Sequence, residues 1–279
     1  MSARFGRSFV VAVLVATLVF LAAPVLATFV SSFARSWTGA LPSGFVTTTH
    51  WASVLGLSDG VTGAAERSLG VTQWPPWENP LLFSVGLALG GVLINLVVGV
   101  PVAYAVSRYD FAGREWVNAF AVLPLAPGII LGVAFLRAYP EISGSVLGLV
   151  VGYSLLKAPY MVMAVQSSFE SMPLRQLEES ARSLGASWPR TFLTVIVPNA
   201  RTGIVSGSII CWTLAAAEFN FSYIVFSRGT PPLALFLKAH ISNSSFLTTA
   251  AAVSVFFLLV GAVTLLLQAV GGWDRTTRT

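Results

Sequence analysis

"EESARSLGASWPRTFLTVIVPNARTG", residues 178 to 203, is a charged interruption in the second half of an otherwise apolar chain, and its pattern reads as two helices joined by a tight turn. Pro173 suits a first helical turn, Leu174, Leu177, Ala181 and Leu184 recur at helical spacing, and Gly185 supplies a stop that tolerates positive φ. Arg175 with Glu179, and Glu178 with Arg182, stand four residues apart and can pair on the polar face. Ser187 offers an N-cap to a second helix that opens on Trp188 and Pro189 and runs to about Val197, before Pro198.

The remainder of the chain belongs in a bilayer. Of 279 residues 55% are hydrophobic and 10% charged, too little polar surface to cover the apolar volume of a soluble domain. The net charge of +5 comes from sixteen scattered Lys and Arg rather than one basic face, so a nucleic-acid partner is not expected. The single cysteine, Cys211, excludes an internal disulfide and reads as a small packed hydrophobe.

About 20 apolar residues are needed to cross a membrane as a helix. Six stretches qualify: Ser8 to Val30, Leu81 to Val106, Trp116 to Ala138, Val146 to Gln166, Gly203 to Phe226 and Phe246 to Gly271. The third and fourth carry Pro124, Pro127 and Pro159, which neighbouring helices can accommodate. With the N-terminus inside, the cytoplasmic side holds ten Arg and the outer side five basic residues, with Lys157 inside a span, so both termini are expected in the cytoplasm. The first apolar run competes with a cleavable signal peptide ending near Ala27, but it exceeds the length of a signal core of about 7 to 15 residues and reads as a retained anchor.

The segment 31–80 is the longest external loop; its Trp37, Trp51, Trp74 and Trp77 suit the membrane interface. No repeat or separate soluble domain is visible, so the expectation is one all-α integral membrane domain over 1–279, interrupted on the cytoplasmic side by the knuckle at 167–202. Physics alone leaves two uses for that knuckle open: docking a soluble partner in a groove, or resting on lipid headgroups.

The knuckle resembles the coupling loop of binding-protein-dependent ABC importer permeases, the so-called EAA loop: Glu-Ala-Ala, three residues, Gly, nine residues, Ile, one residue, Leu-Pro. Here Glu179, Ser180 and Ala181 are followed at the same spacing by Gly185, Val195, Val197 and Pro198, with Ser180 and the two valines as mild departures. The resemblance covers residues 81 to 271, a five-helix core to which Ser8 to Val30 adds a first helix. It implies a six-span, type I importer permease of the MetI-like fold, with the coupling helix-turn-helix between spans four and five, in a prokaryotic plasma membrane. It further implies two cytoplasmic ABC ATPase subunits, a second permease subunit, identical or sister, and an external solute-binding protein. The residues it assigns to ATPase coupling are Glu178, Glu179, Ser180, Ala181, Gly185, Ala186 and Pro198, with Glu179 fixing the loop and Ser180 and Ala181 allowing close helix approach. "LPLAPGIILGVAF" and "APYMV" resemble the subgroup serving polyamines, ferric ion, thiamine, phosphonates or oxyanions.

No catalytic residue, cofactor or metal is expected. The phosphate loop G-x-x-x-x-G-K-[ST] is absent, so ATP hydrolysis falls to another subunit, and His50 and His240 lack metal-ligand spacing. Two intramembrane charges, Lys157 and Glu218, stand at similar depth and can reach each other. They read either as an ion pair joining two helices or, with Asn220, as the lining of a solute path. A self-contained secondary transporter or channel using Lys157 and Glu218 is the competing class, and a transport-free scaffold a third.

Overall fold

A computed structural model describes residues 2–37, 42–45, 47–55, 79–120, 128–241 and 246–272. The expected Pro124, Pro127, Trp74, Trp77, Arg67, Arg275 and Arg278 lie outside them. Helix α1 (Ser2–Ser32) leads into a small antiparallel hairpin, β1 (Ala34–Ser36) with β2 (Ser43–Phe45), and a short α2 (Thr49–Val54). Then follow α3 (Pro80–Arg108), α4 (Arg114–Phe120), α5 (Gly128–Ala138), α6 (Val146–Glu170), α7 (Leu174–Ser183) and α8 (Trp188–Thr191). After a π-helical turn at Phe192–Ile196 come α9 (Val197–Asn199), α10 (Arg201–Ala216), α11 (Asn220–Val225), α12 (Leu233–Ile241) and α13 (Phe246–Gly272). The fold is helical as expected apart from this hairpin, which pairs Ala34 with Phe45 and Ser36 with Ser43, aided by Gly44 at φ +69°.

Among the described residues four helices are long and apolar enough to cross a membrane: Phe9–Ser32, Pro80–Arg108, Val146–Glu170 and Phe246–Ala269. They coincide with four of the six expected spans. The expected third span falls on α4 and α5 with 121–127 between them, and α5 has 11 residues. The expected fifth span is not one helix, because α10 stops at Ala216 and α11 begins at Asn220. The helix Arg201–Ala216 also meets Trp188–Asn199 at a 73° bend, and the two together make a further candidate span.

The residues divide into two compact units, Met1–Asn79 with Leu237–Leu258, and Pro80–Phe236 with Leu259–Thr279. In the first, α1 exposes Phe9, Leu18 and Phe20, as a helix facing lipid does, and Thr17 and Thr28 fold their hydroxyls back onto the carbonyls of Val13 and Pro24. Trp51 meets its own polar need within the protein, stacking on Phe33 and donating its indole N–H to Ser32 Oγ at 3.1 Å. His50 Nδ1 lies 3.2 Å from Thr248 Oγ1.

The second unit is built on three long helices, α3, α6 and α10. Small residues let them approach: a methyl group at Gly91 would touch Tyr153 and the Ser154 backbone, and one at Gly203 would lie 2.5 Å from Ser168 Cβ. Leu87, Tyr153, Met161, Trp212 and Phe221 are buried among them.

Candidate functional site

The knuckle at 178–203 folds as a helix, a turn and a second helical limb. Pro173 stands at the N-cap of α7, and Leu174, Glu178 and Ala181, which share one helical face, are its buried residues. The helix ends in a Schellman turn. Ala186 N–H donates to Ala181 O at 3.1 Å, Gly185 N–H to Arg182 O at 2.9 Å, and Gly185 holds φ +78°. Because the chain reverses there, Leu184 does not continue the buried stripe as expected but points outward, 89% exposed. Ser187 takes the extended N-cap conformation without making the expected side-chain cap bond.

The second limb runs beyond the expected stop at Val197, to Asn199. A proline inside a helix lacks an N–H and presses on the carbonyl four residues back. Widening Phe192–Ile196 into a π turn just before Pro198 relieves that crowding, with Val197 N–H reaching Phe192 O. Asn199 Nδ2 donates to Val195 O at 2.7 Å, another bond within the limb.

Glu178, not Glu179, ties the knuckle to the helix bundle. Its side chain is 3% exposed; Tyr104 O–H donates to Oε1 at 2.6 Å and Arg108 Nε at 2.9 Å, both from the end of α3. Oε2 is buried without a hydrogen-bond partner, and Arg182 Nη2 stands 4.0 Å away. Glu179 faces outward and pairs at 3.0 Å with Arg175 of its own helix, so its contact is within the first limb rather than with the bundle. Ser180 is likewise exposed, which leaves close approach of the limbs to Ala181. Ala186 is half-buried and Pro198 exposed.

Rings complete the anchor. The Tyr104 ring lies 5.2 Å from Phe192, 5.9 Å from Phe169, 6.0 Å from Tyr109 and 6.2 Å from Trp188. Trp188 and Phe192 stack at 5.4 Å, and the Arg108 guanidinium sits over the Tyr109 ring.

Within the membrane core, Lys157 Nζ of α6 meets Glu218 Oε2 at 2.6 Å, with side chains 12% and 9% exposed. The other oxygen of Glu218 accepts the N–H of Phe221 at 3.2 Å, so the carboxylate also organises the start of α11 after the break. Asn220 is exposed and does not join this pair. Around it Tyr153 and Ser222 share a 2.6 Å hydrogen bond, Ser154 donates to Asn95 at 2.7 Å, and Cys211 Sγ donates to the Lys157 carbonyl at 3.2 Å.

A family model described as "Binding-protein-dependent transport system inner membrane component" matches residues 91–271, spanning both the knuckle and the charge pair. The chain belongs to this family. A molybdate/tungstate transport system permease protein of Pyrococcus furiosus is 33% identical over 144 residues, 51% of this chain and 57% of that protein. A probable molybdenum ABC transporter permease protein of Haloferax volcanii is 28% identical over 200 residues, 67% of this chain and 73% of that one. A probable sulfate transport system permease protein of Nephroselmis olivacea is 29% identical over 159 residues, 52% and 55% of the two chains. The permease matches 57%, 59% and 58% of the lengths of its three similar molybdate/tungstate relatives. A chain from the crystal structure of a bacterial ABC transporter involved in the import of the acidic polysaccharide alginate superposes with a TM-score of 0.70. That match covers 96% of this chain and 97% of that one at 17% identity, which establishes a shared fold.

Of the expected solute classes the names of these relatives carry oxyanions, molybdate, tungstate and sulfate, and not polyamine, phosphonate, ferric ion or thiamine. Membership in a binding-protein-dependent system likewise gives no support to a self-contained transporter or channel. Between α3 and α6, with Val117 of α4 beside them, lies an open cleft of about 420 Å³, apolar apart from Asn95, Ser154 and Gln166. Sequence reasoning missed Tyr104 and Arg108, which lie 74 and 70 residues from Glu178. It missed Asn95, Tyr153 and Ser222 for the same reason, since their partners are remote in the chain.

Proposed function

We propose that this permease is the membrane-spanning subunit of an ATP-driven importer of a small oxyanion such as molybdate, tungstate or sulfate. It crosses the plasma membrane six times, with both termini in the cytoplasm, and pairs with a second permease subunit. An external binding protein delivers the solute, and two ABC ATPase subunits receive the knuckles at 167–202. The observation that carries this reading is the knuckle itself: a helix closed by a Schellman turn at Gly185, presenting Leu184 outward while Glu178 and Ala181 face the protein. An exposed apolar tip on a firmly held turn suits insertion into a cleft of a soluble partner.

The oxyanion rests on the names of the relatives, not on Lys157, whose charge is matched by Glu218 at 2.6 Å. Glu179, Ser180, Ala186 and Pro198 lie on or beside the docking surface, and Asn220 lines the solute path at the helix break. The test is copurification of the tagged permease from its native membrane with an ABC ATPase subunit and a solute-binding protein. ATP-dependent uptake of molybdate, tungstate and sulfate is then measured in proteoliposomes. ATP-dependent accumulation of one of these anions is expected; a purified permease that retains no ATPase overturns the reading.

A further inference from the structure

The chain itself ties the knuckle to α6 and α10, which flank it in sequence. The third long helix, α3, ends at Arg108, 66 residues before the knuckle begins its first helix at Leu174, and reaches it through side chains. Tyr104 does this with both limbs at once. Its hydroxyl donates to Glu178 of the first limb at 2.6 Å, and its ring lies 5.2 Å and 6.2 Å from Phe192 and Trp188 of the second. One turn further along α3, Arg108 donates to the same oxygen of Glu178 at 2.9 Å.

A charged acceptor held by two donors, with its carboxylate almost wholly shielded from water, resists being pulled apart far more than an exposed pair does. Displacement of the knuckle therefore drags α3 along with α6 and α10. The second oxygen of Glu178 stays buried and unpartnered with Arg182 4.0 Å away, so the clamp has capacity for one more donor if the first limb shifts. A contact serving only to stabilise the resting fold would gain from filling that acceptor.

We infer that Tyr104 and Arg108 are positioning residues that lock α3 to Glu178, so that movement of the knuckle is transmitted to a helix the chain does not connect to it. This rests on the importer reading above. Losing the clamp leaves the ATPase able to bind and hydrolyse ATP, but α3 no longer follows.

The experiment compares the complete transporter carrying Tyr104→Phe, Glu178→Gln or both, reconstituted in proteoliposomes with its ATPase and binding protein. Labelled molybdate and labelled sulfate are the probes, and import and ATP hydrolysis are recorded together. Tyr104→Phe retains the ring contacts and removes only the hydroxyl. Its complex should copurify with the ATPase as the parent does, while solute imported per ATP hydrolysed falls by about fivefold or more. The double variant should be no worse than the worse single one, because both remove the same link. An unchanged import-to-hydrolysis ratio in an assembled Tyr104→Phe complex overturns the inference and leaves the importer reading standing. Should Glu178→Gln fail to fold, Tyr104→Phe and Arg108→Gln still decide it. A parent permease that binds no ATPase overturns the importer reading and this inference with it.

Discussion

Lys157 and Glu218, 61 residues apart in sequence, meet at 2.6 Å where α10 gives way to α11. Both side chains are nearly buried, so each is the other's compensation. Replacing one partner strands a charge in a low-dielectric core. Glu218→Gln or Lys157→Met alone should each destabilise the protein by about 3–5 kcal/mol, and the double variant should recover most of that loss. Thermal melting of the purified variants in detergent measures it, and single variants that melt with the parent would remove the pair from the list of what holds the break together.

Gly185 makes a separate prediction, because its strain is conformational rather than steric. It holds φ +78°, yet a side chain there would meet nothing within 4 Å. The left-handed region costs most residues about 1–2 kcal/mol, and Asn less. Association with the ATPase should therefore weaken in the order Asn, Ala, Val at this position, with membrane insertion unchanged. If Asn were as damaging as Val in a copurification assay, crowding by the partner rather than backbone conformation would be setting the limit.

The knuckle was legible in sequence because its signals are local: apolar spacing, charges four apart, and a glycine where the helix stops. The motif's spacing drew attention to Glu179 as the fixing residue, although the helical phase pointed elsewhere. Glu178, four residues after Leu174 and three before Ala181, shares their buried face, and that phase was the available clue. Its partners on α3 could not be read in the same way, since no periodicity connects residues 70 or more apart. The break at 217–219 was hidden for a different reason. "AAAEFNF" contains neither Pro nor Gly; Glu218 accepts the N–H of Phe221 three residues on, a local bond, but is held at the break by Lys157, 61 residues away, which no local pattern announces.

Tyr153 bridges the same break from α6. Its hydroxyl lies 2.6 Å from Ser222 Oγ, and both residues are at most 1% exposed. Tyr153→Phe leaves the ring in place and removes the shorter hydrogen bond of Ser222 Oγ, which keeps the Glu218 carbonyl as acceptor at 3.4 Å, a loss of about 0.5–1.5 kcal/mol. Ser222→Ala removes the same Tyr153–Ser222 bond, so the pair of substitutions should cost less than the two single losses summed. A thermal-melt double-mutant cycle reads the coupling, and strict additivity would mean the hydrogen bond contributes nothing of its own.

The close approach of α10 to α6 gives a prediction graded by what stands opposite each glycine. At Gly203 an added methyl would lie 2.5 Å from Ser168 Cβ and 2.7 Å from the Ala164 carbonyl oxygen. Neither atom can swing aside without moving backbone, so Gly203→Ala must push the helices apart, at about 1–3 kcal/mol for overpacking. One turn on, the nearest obstacle at Gly207 is Met161 Sδ at 2.9 Å, on a side chain with rotamers to spare, so Gly207→Ala should cost less. Gly261 in α13 has nothing within 4 Å, and Gly261→Ala should be neutral or stabilise by up to about 1 kcal/mol through helix propensity. Melting temperatures ranked Gly203→Ala below Gly207→Ala below Gly261→Ala would tie the fold's stability to helix contact at α6. Equal losses at Gly203 and Gly261 would instead mean that glycine acts here through backbone flexibility, and that the close packing of α10 on α6 is not what holds this unit together.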